Sequence, residues 1–125
     1  MATVWHITER LHGNVLILHA AVRGLSVDSG RDRHRLLTSI QGHLRQGNTT
    51  LLVNLCDAAY LDSDGLGEIV RGYTLAAKAG GILAVCELVS RIRDLFRITR
   101  LNAQIPTYAT EQDGLDALYS SIAAR

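Results

Sequence analysis

The chain has 125 residues, of which 47% are hydrophobic, and its 13 basic and 12 acidic side chains leave a formal net charge of +1. This length suits one hydrophobic core, so we expect a single domain over residues 1–125, and the charge balance argues against a nucleic-acid-binding protein. The longest apolar run, Val15 to Val22, is far shorter than the roughly 20 residues that cross a bilayer, and no signal-peptide pattern opens the chain. We therefore expect a cytoplasmic protein without membrane insertion.

A strand hairpin is predicted at the start of the chain. Residues Thr3 to Glu9 alternate apolar and polar side chains, as in an edge strand with one covered face. Gly13 and Asn14 suit a turn. The run Val15 to Leu18 is apolar on both faces, as a central strand would be, so the two strands should pair in antiparallel fashion.

Helical and strand patterns then alternate along the chain. They predict, in order, a helix opened by Asp28-Ser29-Gly30 and ended by Gly47-Asn48, a strand Thr50–Leu55, a helix Asp64–Ala79, a strand Ile82–Cys86, a helix from Ser90 to near Asn102, a short edge strand Pro106–Tyr108 and a final helix with Leu115, Leu118 and Ile122 inward. Such alternation indicates an α/β fold with a mostly parallel sheet of about five strands and four helices.

No metal site and no cofactor are predicted from the cysteines and histidines. Cys56 and Cys86 each end a strand-like run, so we expect two buried, reduced thiols in neighbouring strands. Neither belongs to a short-spaced zinc motif. The histidines are also scattered, and we interpret them as surface or strand residues: His6, His12, His19, His34 and His43.

Three small polar side chains lie at the predicted junction between a buried strand and the helix that follows it. They are the central part of the segment Tyr60-Leu61-Asp62-Ser63-Asp64-Gly65-Leu66-Gly67. The N-terminus of a helix presents backbone N–H groups and the positive end of the helix dipole. The junction therefore suits an anion or a polar contact from a partner, with Asp62 or Ser63 as the N-cap.

This segment resembles the STAS domain, the family named for sulfate transporters and anti-sigma-factor antagonists. The family carries a hydrophobic-Asp-Ser-Ser/Thr-Gly-hydrophobic-Gly motif, here Leu61 to Gly67, after a strand like Leu52 to Leu55. Ala77 to Val85 and Val89 to Leu101 extend the resemblance, which covers nearly the whole chain from Val15 onward. It implies a regulator that binds a partner and catalyses no reaction. The implied partner is an anti-sigma factor that is also a serine kinase of the histidine-kinase-like ATPase type. In the family that kinase phosphorylates a Ser or Thr at the helix start, which releases the antagonist.

Two departures from the family pattern bear on regulation. Asp64 occupies the phosphoacceptor position and has no hydroxyl to modify. It could mimic the phosphorylated state, leave an antagonist without phosphorylation control, pass the acceptor role to Ser63, or simply be an acid favoured by the helix dipole. The second departure is at Gly24-Leu25-Ser26-Val27, where the family's Gly-x-x-Asp pattern is displaced by about one residue, to Asp28.

The predicted partner-binding surface is the helix start with the edge of the next helix. Its residues are Asp62, Ser63, Asp64, Gly65, Leu66 and Gly67, together with Arg91 and Arg93. For the arginines, a solvated helix face is the alternative. Two other functions remain open: a STAS subunit of a membrane-lipid transport complex, bound to its ATPase, or a small nucleotide- or metabolite-binding regulatory domain. The sequence does not predict an oligomeric state.

Overall fold

A computed structural model describes residues 2–26 and 35–123 of the chain. Their strands and helices are β1 Ala2–His12, β2 Val15–Ser26, α1 Arg35–Arg45, β3 Thr50–Asn54, α2 Ser63–Lys78, β4 Ile82–Cys86, α3 Ser90–Ile98, α4 Leu101–Gln104, β5 Thr107–Tyr108 and α5 Glu111–Ala123. The predicted start of the first helix at Asp28-Ser29-Gly30, and Val27 before it, lie outside the described residues. None of these helices is long and apolar enough to span a membrane in the part of the chain that the structure describes.

The five strands form one sheet in the order β1-β2-β3-β4-β5. β1 and β2 pair in antiparallel fashion, and the other neighbouring strands are parallel. The predicted α/β fold with an antiparallel N-terminal hairpin is therefore confirmed. β2 continues well past the predicted Val15–Leu18, as far as Ser26.

Helices cover both faces of the sheet. The face with α1, α2 and α3 contains alternate residues of the central strands, such as Leu51 and Val53 of β3, packed with Ile69 of α2. The opposite face packs Leu52 of the same strand against α5. β3 is fully buried on both faces, as its unbroken apolar sequence predicts.

The third predicted helix is divided in two. Arg100 adopts a left-handed conformation with φ of 61°, which ends α3 and separates it from the short α4. The described residues therefore contain five helices instead of the four predicted. Thr99, at the end of α3, is exposed, and its hydroxyl donates a 2.7 Å hydrogen bond to the Leu95 carbonyl.

A buried carboxylate joins three elements on the α2 face. Glu68 of α2 is 1% exposed. Its Oε2 accepts a 2.8 Å hydrogen bond from the Trp5 ring N–H of β1, and its Oε1 accepts one of 3.1 Å from the Leu37 N–H of α1. Because buried polar groups are costly without partners, these bonds fix the position of α2 relative to β1 and α1.

Candidate functional site

The start of α2 is held by its N-cap residue, Asp62. The Asp62 carboxylate accepts a 2.7 Å hydrogen bond from the Gly65 N–H, and the Asp62 carbonyl accepts one of 3.0 Å from the Leu66 N–H. The same carboxylate oxygen accepts a hydrogen bond from the Thr3 hydroxyl of β1. Of the two cap candidates that the sequence left open, the structure selects Asp62, and Ser63 is the first helical residue.

The electrostatics of Asp62 follow from this arrangement. Burial of the carboxyl works to raise its pKa, but hydrogen bonds to the carboxylate, chiefly those from the Thr3 hydroxyl and the Gly65 N–H and also from the backbone of Thr3 and Asp62, lower it by more. The pKa of Asp62 is therefore lowered from its ordinary value of 3.8. The group is ionised at neutral pH and adds a negative charge at the positive end of the helix dipole.

The two glycines of the motif have different structural roles. A Cβ atom on Gly65 would lie 2.7 Å from the Thr3 hydroxyl oxygen and 3.2 Å from the Asp62 carboxylate. A Cβ atom on Gly67 would meet only the Arg71 side chain, at 3.5 Å, which is ordinary contact. The absence of a side chain therefore lets Gly65 approach β1, whereas the packing places no such demand on Gly67.

The other predicted site residues of α2 differ in exposure. Ser63 is exposed on the first turn, whereas Asp64 is partly buried. Leu66 is also partly buried and packs against the core beneath α2. Adjacent residues of a helix point roughly 100° apart, so Ser63 and Asp64 present their side chains in different directions. Ser63 is thus the member of this pair with the more accessible side chain.

Arg91 and Arg93 lie at the same edge of the sheet as the α2 start. α2 follows β3 and α3 follows β4, two adjacent parallel strands, and both helices pack on the same face. Arg91 and Arg93 are exposed in the first turns of α3. The Arg93 guanidinium donates a 3.2 Å hydrogen bond to the Ser90 hydroxyl. Both helices therefore begin beyond the carboxyl ends of adjacent parallel strands on one face of the sheet, and the α2 start is additionally bonded to Thr3 of β1.

A cleft of about 570 Å³ lies beside α3. Its lining includes Arg93, Phe96 and Arg97 of α3 and Tyr108 of β5. Asp94, which pairs with Arg97 at 3.2 Å, also lines the cleft and offsets part of its positive charge.

A second polar cluster, not predicted from the sequence, joins His19 of β2 to the turn that follows β3. The His19 Nε2 atom is 2.7 Å from Asp57 Oδ2 and 4.0 Å from Cys56 Sγ. The prediction that both cysteines are buried was wrong for Cys56, which is exposed because β3 ends at Asn54 and the chain turns outward there. His19 lies 37 residues before Cys56, so no short-spaced sequence motif could predict the contact.

The two thiols differ in environment. Burial, followed by the nearby carboxylates of Asp57 and Glu87, raises the pKa of Cys56 above its usual value. Burial and the carboxylates of Glu111 and Glu87 raise the pKa of Cys86, within β4, to about 12. Both thiols are therefore protonated at neutral pH.

Comparison with known proteins agrees with this fold. The family model described as "STAS domain" matches residues 29–114. An anti-sigma-B factor antagonist of Bacillus subtilis (strain 168) is 35% identical over 72 residues, which are 58% of this chain and 66% of that protein, just under two thirds of its length.

Solved structures share the fold at lower identity. A candidate anti-sigma factor antagonist of Thermotoga maritima superposes with a TM-score of 0.79 at 19% identity, covering 90% of this chain and 94% of that one. The Bacillus cell fate determinant SpoIIAA, in its phosphorylated form, superposes with a TM-score of 0.66 at 17% identity, covering 90% and 97%. Because the family model matches more than half of the chain, this protein belongs to the STAS domain family.

Proposed function

We propose that this protein is an anti-sigma factor antagonist that acts by binding an anti-sigma factor and catalyses no reaction itself. The proposed contact is the α2-start surface, defined as Asp62 to Gly67 with Arg91 and Arg93. The observation that carries the proposal is the capped start of α2, with Ser63 exposed, within the segment that matches the STAS family model. The name of the Bacillus subtilis relative supports the choice of partner.

The α2-start surface has the properties of a recognition site. Its backbone is held by the Asp62 cap and by the link to Thr3, so binding orders little additional chain. Asp64 of α2 and the exposed Arg91 and Arg93 of α3 carry opposite charges. A partner with the complementary charge pattern would bind in one orientation, since such patterns set specificity and association rate.

We further propose that the partner is an anti-sigma factor with serine kinase activity, of the histidine-kinase-like ATPase type, acting in the cytoplasm. Asp64 stands in the place of the family's phosphoacceptor, and a carboxylate cannot accept a phosphoryl group from a serine kinase as a hydroxyl does. Asp64 carries one negative charge, whereas phosphoserine carries about 1.5 to 2. The state of this surface would therefore not be switched by phosphorylation at residue 64.

The first experiment is calorimetric titration against the anti-sigma kinase domain encoded nearest to this protein, with the wild type and Asp64→Ser. Tight binding by the wild type would mean that the antagonist binds without phosphorylation control. Binding by Asp64→Ser alone would mean that Asp64 holds a released-like state. Binding by neither would reject that kinase as the partner.

A matched pair of variants tests the position of the surface. Ser63 and Thr74 are both exposed on α2, one at its start and the other in its C-terminal half. Ser63→Arg should weaken binding at least about tenfold, which corresponds to about 1.4 kcal/mol, and Thr74→Arg should leave it unchanged. Equal affinities for the two variants would place the contact elsewhere. Leu66→Arg is less suitable because Leu66 also packs against the core.

Ser63 also requires a direct test as an alternative acceptor. The wild type should show no phosphorylation when incubated with the kinase and ATP. A phosphorylated species that is lost in Ser63→Ala would instead move the acceptor role to Ser63 and restore phosphorylation control.

The other two candidate functions have their own readouts. Co-purification of a transporter ATPase would favour the membrane-lipid transport complex. A thermal shift with GTP, ATP or lipid, in the absence of protein partners, would favour a ligand-binding regulatory domain. We expect neither result.

A further inference from the structure

His19, Cys56 and Asp57 bring three different metal-binding groups together at the edge of the sheet. One imidazole nitrogen, one thiol sulfur and one carboxylate oxygen all lie within 4.8 Å of one another. The ligand atoms of a tetrahedral zinc site are about 3.3–3.8 Å apart, given metal–ligand bonds of about 2.0–2.3 Å. From the observed 2.7 Å between His19 and Asp57 and 4.0 Å between His19 and Cys56, shifts of less than about 1 Å would reach that geometry.

Rigid elements hold the turn that carries two of these groups. The Asn54 side chain accepts a 2.9 Å hydrogen bond from the Cys56 N–H, and the Ala58 N–H donates one of 3.0 Å to the Leu55 carbonyl. The Asp57 carbonyl accepts a 3.2 Å hydrogen bond from the Val22 N–H of β2. The turn is therefore attached to the strand that carries His19.

The position of His19 is set by strand pairing. In the parallel register of β2 and β3, His19 is opposite Asn54, the last residue of β3. The imidazole therefore reaches the turn that begins immediately after β3. Fixed backbone at every ligand favours a preorganised site.

The mixture of groups indicates the class of cation. Thiolate and imidazole favour zinc and similar transition metals over Mg²⁺ and Ca²⁺, which prefer oxygen ligands.

We propose that His19, Cys56 and Asp57 form a binding site for Zn²⁺ or a similar divalent transition metal, with a fourth position open to water. This site is separate from the α2-start surface and does not depend on the proposed function. On binding, the Cys56 S–H bond is replaced by a sulfur–metal bond and the proton is released to solvent. The proton shared by His19 Nε2 and Asp57 Oδ2 moves, by exchange with solvent, to His19 Nδ1, and the freed nitrogen and carboxylate oxygen each form a bond to the metal.

The test uses the untagged, reduced, metal-free protein titrated with Co²⁺ and then with Zn²⁺. We expect one equivalent of Co²⁺ to produce thiolate-to-cobalt charge-transfer absorption, and Zn²⁺ to displace it. Cys56→Ser should abolish that absorption while the far-ultraviolet circular dichroism is unchanged. His19→Gln and Asp57→Asn should each weaken binding at least tenfold, because loss of an outer-shell partner alone costs about 10–100-fold in affinity.

His6→Gln is the matched control, because His6 is an exposed histidine on the neighbouring strand β1. It should bind Co²⁺ and Zn²⁺ as the wild type does. Absence of binding by the wild type at millimolar metal would overturn the proposal. So would binding that is unaffected in Cys56→Ser and His19→Gln.

Discussion

Replacing Gly65 by alanine should destabilise the protein, whereas the same change at Gly67, two residues further along α2, should not. At Gly65 the new methyl group would lie 2.7 Å from the hydroxyl oxygen of Thr3, which is 3% exposed and cannot swing into solvent. At Gly67 the nearest atom would belong to the flexible Arg71 side chain, at 3.5 Å. The pair therefore separates the effect of close packing from the general effect of glycine in a helix.

The expected magnitudes follow from the contacts. Displacing Thr3 breaks its hydrogen bond to the ionised Asp62, at about 1.5–3 kcal/mol, and overpacking adds about 1–3 kcal/mol. Improved helix propensity offsets at most about 1 kcal/mol. We expect Gly65→Ala to lower the free energy of unfolding by roughly 1.5–2.5 kcal/mol net, taking the low ends of these ranges because β1 can relax. Gly67→Ala should raise it by up to about 1 kcal/mol.

The assay is urea unfolding of both variants, followed by Trp5 fluorescence, with thermal unfolding as a second measure. For a chain of this size, 1 kcal/mol corresponds to about 4 °C in Tm, so Gly65→Ala should unfold roughly 6–10 °C lower than the wild type. A change of the same sign and size in both variants would refute the assignment of different roles to the two glycines.

A double-mutant cycle tests whether Thr3 is the residue that the methyl group of Gly65→Ala would clash with. Thr3→Ala removes the hydroxyl, and the nearest remaining Thr3 atom is the Cβ atom, 3.3 Å from the new methyl group. In that background, Gly65→Ala should cost less than about 1 kcal/mol, which leaves a coupling energy of about 1–2 kcal/mol. An equal cost of Gly65→Ala in both backgrounds would show that Thr3 does not oppose the methyl group.

Two further predictions concern buried and titrating acids. Glu68→Leu should lower the free energy of unfolding by about 2–4 kcal/mol, because it leaves the N–H groups of Trp5 and Leu37 buried without an acceptor. Urea titration measures this change, and an unchanged unfolding midpoint would show that water replaces the carboxylate. Asp62 has a lowered pKa in the folded protein, so its contribution to stability is present above about pH 4 and is lost as the pH falls through the folded pKa. Between pH 6 and pH 2, the free energy of unfolding should therefore fall less steeply with decreasing pH in Asp62→Asn than in the wild type. The same pH dependence in both proteins would contradict a lowered pKa of Asp62.

Local sequence determined the order and type of the elements. Alternating apolar residues identified β1, and unbroken apolar runs identified the central strands, because side-chain period and burial are properties of neighbouring residues. Strand–helix alternation then required a mostly parallel sheet. The helix start at Asp62-Ser63 was also readable, since cap residues act on N–H groups only two or three positions away.

Tertiary structure decided how these segments meet. The Asp62 cap is also bonded to Thr3, 59 residues earlier, and Glu68 is satisfied in part by Trp5, 63 residues earlier. The His19–Cys56 contact likewise depends on the register of two strands. No local period encodes such contacts, because a parallel sheet brings the ends of distant strands to one edge only after the chain has folded. Local pattern thus predicted the position of the α2 start, and the fold alone determined what holds it and what lies beside it.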